Sequence, residues 1–526
     1  MCLNVLISQM KAKLYPYLPG VLLFIIALLI SIFTFKDYGV AWDEPIQVEI
    51  GTVYYNYVAQ HDTKLETYDS REYGAGFELP LIFLQKKLRI DDSRNVYLFR
   101  HFVTHLFFLI AAFCAYLLCY RLFQNRLIAS LGFILIVCMP RIYAHSYFNT
   151  KDIPLLSMFL VTFTVAQAAF KKNKAPWYLL LGMACGYTIS IRITGILPVA
   201  MLTVFLLVDM VTCLVNKKNA RKAVMHLFIF IFSSTFTLYL CWPTLWHHPL
   251  KNFIWAYNTL AHFSNWGGKL LFMGQVYDGN TIPWYYAPVW FGISTPILWL
   301  IAGITGIVFI IVAFLKRPLS FIQNTPYRNY TLYLACFFGP LLMVIALHSV
   351  LYDDWRHLYF IYPAFALLAL YAVNALLHTK WKRIVYALCL MQVALVMVFM
   401  VRAHPFQQVY FNQLVSHKDE SHRKNYELEY WGCAYKQAFD YILAHDSSDS
   451  IRVFWSLNPV INNVDFLPAE YRKRFLLLNR NEVPYYFITN FRGHPQDFNY
   501  PYTYYNIKVQ NSTILRVYKC YKEEGK

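Results

Sequence analysis

Apolar runs close to the length that crosses a bilayer recur along the first four-fifths of this chain, and they leave it one class of fold. A hydrocarbon core about 30 Å thick takes roughly 20 helical residues to span. No water reaches the backbone there, so each run must close its own N–H and C=O groups as an α-helix. The runs fall at about 15 to 36, 97 to 120, 127 to 145, 153 to 170, 176 to 191, 194 to 215, 223 to 241, 288 to 314, 329 to 350, 357 to 377 and 384 to 402. The expected fold is an α-helical polytopic membrane protein with about 11 transmembrane helices. Composition agrees, since 58% of the 526 residues are hydrophobic and only 14% charged, more apolar than a soluble core of this size requires. The first run is read as a retained helix, because no small-residue cleavage site follows it.

A net charge of +18 is large, but the cations are scattered through short loops and form no patch for nucleic acid. With Lys11 and Lys13 placed in the cytoplasm, every second loop is cytoplasmic too. Those loops carry Arg121 and Arg126; Lys171, Lys172 and Lys174; Lys217, Lys218, Arg221 and Lys222; Lys316, Arg317 and Arg328; and Lys380, Lys382 and Arg383, with no acidic residue among them. Asp43, Glu44, Glu78, Asp152, Asp278, Asp353 and Asp354 occupy the alternate loops, so the positive-inside rule sets any chemistry on the outer face. Most of the 11 cysteines lie inside apolar runs and form neither a zinc pattern nor a disulfide framework.

Two outer loops, about 37 to 96 and 242 to 287, are far longer than a connection needs, which marks them as functional. Trp242, Trp246, Trp255, Trp266, Trp284 and Trp290 punctuate the second and suit anchoring at the headgroups. In the first, Ile46, Ile50, Val53, Tyr54 and Tyr57 recur at helical spacing, so residues from Pro45 to Gln60 are expected to form an amphipathic helix on the membrane surface. After about Arg402 the chain turns polar. The expected domains are therefore 1–402 in the membrane and 403–526 outside it, the latter a small α/β unit with a helix from Tyr435 to Ala444 and strands from Ile451 to Trp455, Tyr485 to Thr489 and Ser512 to Tyr518.

Asp43 and Glu44 directly follow the first run, at the level where headgroups meet water. A carboxylate there can take a proton from a hydroxyl nucleophile, and an Asp with Pro two residues on equally fits a helix N-cap. Glu78, in Gly76-Phe77-Glu78-Leu79-Pro80, re-enters an apolar stretch, and Lys151 and Asp152 form a tight outer turn. Each acid could do no more than charge a helix N-terminus. Arg192 interrupts apolar sequence near the outer face, where an ionisable group is costly unless it functions or snorkels. Arg356 and His357, in Tyr352-Asp353-Asp354-Trp355-Arg356-His357, add a second cation, and two guanidiniums facing an outer cavity suit a phosphate. His247, His248 and His262 could join Glu78 in a metal site assembled across loops, although adjacent histidines are not ligand spacing on a helix.

In order and topology these residues resemble the polyprenyl-phosphate-sugar-dependent glycosyltransferases of the C-type membrane fold. The nearest branch holds the protein O-mannosyltransferases and the aminoarabinose transferases that act on lipid A. The resemblance covers about residues 15 to 402 and is carried by the Asp-Glu pair, Phe-Glu-x-Pro, the Asp between the third and fourth helices, the cation at Arg192, Trp242-Pro243-Thr244-Leu245-Trp246, Leu271-Phe272-Met273-Gly274, Ile282-Pro283-Trp284-Tyr285-Tyr286 and Trp355-Arg356-His357-Leu358-Tyr359. It implies transfer of a sugar from a polyprenyl phosphate donor to a lipid, glycan or protein acceptor on the extracytoplasmic face. Asp43 would be the catalytic base, with Glu44 and Asp152 supporting it or positioning the acceptor. Glu78, Lys151, Arg192, Arg356 and His357 are the expected substrate contacts, with the two arginines neutralising the phosphate leaving group. A divalent cation on Glu78, His247 and His248 is a possible addition. The resemblance also implies a bacterial inner membrane with the site facing the periplasm.

The chain departs from the pattern at Leu79, where the aminoarabinose enzymes carry Lys, in a fourth outer loop too short for the mannosyltransferase insert, and in its added C-terminal domain. A transporter or lipid flippase is the competing class. Against it, the ionisable residues gather at the outer interface and no inverted repeat is evident.

Overall fold

The computed structural model describes residues 15–261, 267–478 and 485–520. Lys11, Lys13, His262 and Trp266 lie outside them. All eleven apolar runs are helical, and among the described residues nine helices are long and apolar enough to cross a membrane. The chain is an integral membrane protein. A tenth span results if Arg126–Val137 and Pro140–Phe148, bent by 61°, are taken together. The remaining run, Ala175–Ile191, has 17 residues, about 25 Å of helix and short of a full crossing. The expected count of 11 is thus met in helices but not in full-length spans.

Two prolines account for the broken helices. Pro140 has no N–H and pushes Met139 into extended backbone (ψ 104°), so the helix restarts in a new direction and all nine residues of Pro140–Phe148 become buried beneath the outer face. Pro296 does the same after Thr295 (ψ 131°), splitting the run expected at 288 to 314 into Tyr286–Ser294 and Ile297–Lys316. The short helix Ala175–Ile191 packs tightly on Arg221–Cys241. A Cβ on Gly182 would stand 2.5 Å from the Phe230 carbonyl oxygen, and one on Gly186 would stand 2.9 Å from the Leu238 nitrogen. Small residues four apart let helix backbones approach where no hydrophobic effect separates helix from lipid. Arg328, grouped above with the inner-loop cations, is the fourth residue of the helix Thr325–Ala346. It forks onto Asp209 of Ile196–Val215 at 2.8 and 2.5 Å.

The first long outer loop holds the expected helix, Glu44–Gln60, and a second, Glu78–Lys87. The fourth outer loop holds the helix Pro249–Ala261 and a hairpin of β1 (Lys269–Phe272) and β2 (Gln275–Asp278). Met273 and Gly274 turn it with φ of 51° and 78°, as a two-residue hairpin loop requires.

The C-terminal segment is the α/β unit expected from its sequence. After the helix Tyr435–His445 come β3 (Ile451–Trp455), β4 (Phe475–Leu477), β5 (Tyr486–Thr489), β6 (Tyr502–Val509) and β7 (Ser512–Lys519), in the order β4-β3-β5-β7-β6. β3 is parallel to β4 and β5, and β7 is antiparallel to β5 and β6. The edge strands β4 and β6 were not anticipated.

This unit sits directly on the turn that follows the first span. Asn463 accepts from the Val40 N–H at 2.9 Å, and its amide faces the carbonyls of Val40, Gly432 and Pro459 at 2.9, 3.1 and 2.8 Å. The Trp42 N–H donates to the Trp431 carbonyl at 2.9 Å. Asn463→Leu strands these buried backbone groups without partners and is expected to cost about 3 kcal/mol, read as a lower unfolding midpoint of the purified protein.

Candidate active site

Asp43 precedes Glu44–Gln60, yet its side chain makes no capping hydrogen bond. The sequence accounts for part of this. An N-cap oxygen needs the N–H of the second or third helical residue; Pro45 has none, which leaves Ile46 as the one donor in reach. Backbone angles of φ −82°, ψ −15° are already helical, unlike the extended geometry a cap prefers. The carboxylate instead stands 30% exposed, with Oδ2 3.5 Å from Nη1 of Arg356.

Glu44 points the other way. It is fully buried, accepts from the Ala41 N–H at 2.8 Å and meets Nε2 of His101 at 3.1 Å. Of the parts expected for Glu44, this placement fits support of Asp43: Glu44 closes the turn that presents it. Glu78 is held likewise. Arg100 donates to it at 2.6 Å and Thr150 bonds its other oxygen, all in the interior. Burial raises its carboxyl above the usual range against the pull of Arg100. Its oxygens are held by Arg100 and Thr150, away from the cavity that Lys151 and Arg192 line. His247 and His248 are exposed, and among the described residues no cluster of three His, Cys, Asp or Glu could hold a metal.

Arg356, at the start of the 3-10 stretch Arg356–Ile361, is the hub. Nη1 lies 3.5 Å from Asp43 and 3.6 Å from Asp152, and Nη2 lies 3.2 Å from Asp353. The ring of Trp431 stacks at 4.6 Å from the guanidinium carbon. Asp152, the first residue of its span, also binds Arg192, and it trades hydrogen bonds with Asn149, whose amide donates at 2.9 Å and whose Oδ1 accepts the Asp152 N–H at 2.9 Å. Arg192 reaches it from an extended break (φ −156°, ψ 138°) between two helices.

Lys151, Arg192 and His357, with Tyr73, line one end of a cavity of about 230 Å³. Its remaining wall is mostly apolar, and Ile196, Met343 and Leu347 on its rim are exposed side chains on two spans, the surface that lipid covers. Lys151 stacks its Nζ 3.9 Å from the Tyr73 ring centre. Burial, and next the charge of Arg192, push its amine down to about 8. The structure thus brings together Asp43, Lys151, Asp152, Arg192, Arg356 and His357, and sets apart Glu44, Glu78, His247 and His248. Sequence reasoning passed over Tyr73 and Arg492, which join the cluster through tertiary contacts that carry no local signal.

Residues 88–240 match the family described as dolichyl-phosphate-mannose-protein mannosyltransferase. That stretch includes Lys151, Asp152 and Arg192 but ends short of Arg356 and starts after Asp43. No curated protein sequence matches the chain. Among solved structures, ArnT from Cupriavidus metallidurans in the apo state aligns with 94% of this chain and 97% of its own at 10% identity, with a TM-score of 0.50. The same protein bound to undecaprenyl phosphate aligns over the same shares at 11% identity and 0.47. The apo Archaeoglobus fulgidus oligosaccharyltransferase aligns with 87% of this chain at 10% identity and 0.45, and this chain spans only 64% of its length. The likeness to apo ArnT shows the fold, and the chain has the C-type glycosyltransferase architecture expected from its motifs.

Proposed function

We propose that this protein transfers a sugar from a polyprenyl phosphate donor to an acceptor at the outer face of a bacterial inner membrane, with Asp43 as the base. The observation that carries the proposal is the cavity itself, which joins a cationic end at Lys151 and Arg192 to an apolar wall open toward lipid. A lipid phosphate has that same division of charge and hydrocarbon. The family match over residues 88–240 and ArnT bound to undecaprenyl phosphate support the donor class.

In this reaction the acceptor hydroxyl or amine attacks the anomeric carbon and gives its proton to the exposed Asp43 carboxylate. The bond between that carbon and the phosphate oxygen breaks, and the polyprenyl phosphate leaves with the electron pair. Negative charge then grows on the phosphate, where the cations Lys151 and Arg192 already stand. No general acid is needed, because a phosphate ester is already a good leaving group. Arg356 is committed to three carboxylates. Its share in the reaction is to aim Asp43, while the phosphate falls to the two cations of the cavity.

Asp43→Asn is expected to lower kcat by about 10³-fold while leaving the protein folded, checked by transfer of labelled sugar from a synthetic polyprenyl phosphate donor alongside a thermal melt. Full activity of that variant would sink the assignment of the base.

Lys151 gives a pH signature. Its amine is lowered, so its charge is present below about 8 and lost above it. The attraction for phosphate follows the same course, and kcat/KM for the donor, which reports the free enzyme, should fall as pH rises through about 8. Lys151→Arg should remove that fall.

A further inference from the structure

Arg492 lies in the turn after β5, 139 residues beyond Asp353 in the chain, yet its Nη2 is 2.6 Å from Asp353 Oδ1. Nη1 donates to the Tyr430 carbonyl at 2.9 Å, and the guanidinium stands 5.7 Å from the ring of Trp42, the neighbour of Asp43. The other oxygen of Asp353 meets Arg356 at 3.2 Å, and Arg356 meets Asp43 at 3.5 Å. Alternating charges therefore run from the C-terminal unit to the base in the order Arg492, Asp353, Arg356, Asp43.

The middle of this series is strained. Asp353 and Asp354 are consecutive residues with φ of 57° and 62°. Asp visits that region as a single residue, but two in succession persist only where their surroundings hold them. Here both carboxylates are gripped: Asp353 by Arg492 and Arg356, and Asp354 by Arg141 at 3.0 Å, Tyr359 at 3.0 Å and Tyr430 at 2.7 Å. Arg492 is the one cation of the set supplied by the C-terminal unit beyond Tyr430. Without it, Asp353 keeps only Arg356 among the ion pairs of the described residues, and its relaxation would let Arg356 swing.

We propose that Arg492 is a positioning residue which, by holding Asp353, fixes Arg356 between Asp43 and Asp152 and makes sugar transfer conditional on a docked C-terminal unit. The proposal rests on the glycosyltransferase reading, and two measurements on the full chain in nanodiscs keep their failures apart. In transfer assays, Arg492→Gln should lower kcat about 10- to 100-fold with donor KM changed less than about twofold, because Lys151 and Arg192 stay in place. Arg492→Lys should recover part of the loss, and the exposed Arg452→Gln on the same unit none of it should show. Asp353→Asn combined with Arg492→Gln should cost no more than the worse single change, as expected when one residue acts through the other. Wild-type turnover in Arg492→Gln, or two losses that multiply, overturns the proposal. Amide hydrogen exchange of residues 350–356 needs no turnover and should quicken at least about tenfold in Arg492→Gln. Unchanged exchange also overturns it, whereas quickened exchange in a protein that transfers no sugar supports the coupling and counts against the enzymatic reading alone.

Discussion

The candidate site of this protein is organised around one buried guanidinium. Arg356 holds three carboxylates that come from separate parts of the chain, Asp43 after the first span, Asp152 at the start of another and Asp353 in its own loop. At an effective dielectric of about 20, unit charges about 4 Å apart attract by about 4 kcal/mol. Three such contacts outweigh the side-chain entropy of ordering them, provided that the acids are balanced. Arg192 on Asp152 and Arg492 on Asp353 supply that balance. Because Asp152 and Asp353 each keep a second cation and Arg356 a second and third acid, losing one contact loosens the network without leaving a lone buried charge. The arrangement is therefore better understood as fixing geometry than as adding stability.

Charges could be gathered here because each one sits at the end of a helix. Asp43, Asp152, Arg192 and Arg356 are all first, last or flanking residues of their elements. A charge in the middle of a span would face lipid or demand an interior partner at every depth, whereas helix ends meet at the interface and are held by the packed bundle beneath. The bend at Pro140 extends the same logic, because it turns Arg141, His145 and Asn149 inward under the cluster. Arg141 secures Asp354, and Asn149 secures Asp152.

How much of this was legible in the sequence depends on the range of the physics. Span positions follow from local hydropathy, and all eleven runs are helices. The breaks at Pro140 and Pro296 were visible as residues but not as boundaries, since apolar sequence runs on across both. Asp43 and Glu44 look equivalent on the page. They differ because His101, 57 residues away, takes Glu44 inward, while Arg356, from a distant loop, meets Asp43. Glu78 was read as a contact or ligand because its partner, Arg100, lies in a helix whose facing cannot be told from periodicity alone. Arg492 was invisible for a plainer reason: nothing in a strand-turn sequence says which distant acid its arginine will meet.

The separation of Arg356 from the cavity also divides the labour of the proposed reaction. A phosphate entering the cavity meets Lys151, which stands over the Tyr73 ring and makes no ion pair among the described residues, and Arg192, which is shared with Asp152. Lys151 is thus the cation most free to answer new negative charge. Arg192 can answer it only by loosening its hold on Asp152, and Asp152 would then lean on Arg356, its second partner. Among the described residues, Asp152 is thus the one acid shared between a cation that lines the cavity and the guanidinium beside Asp43.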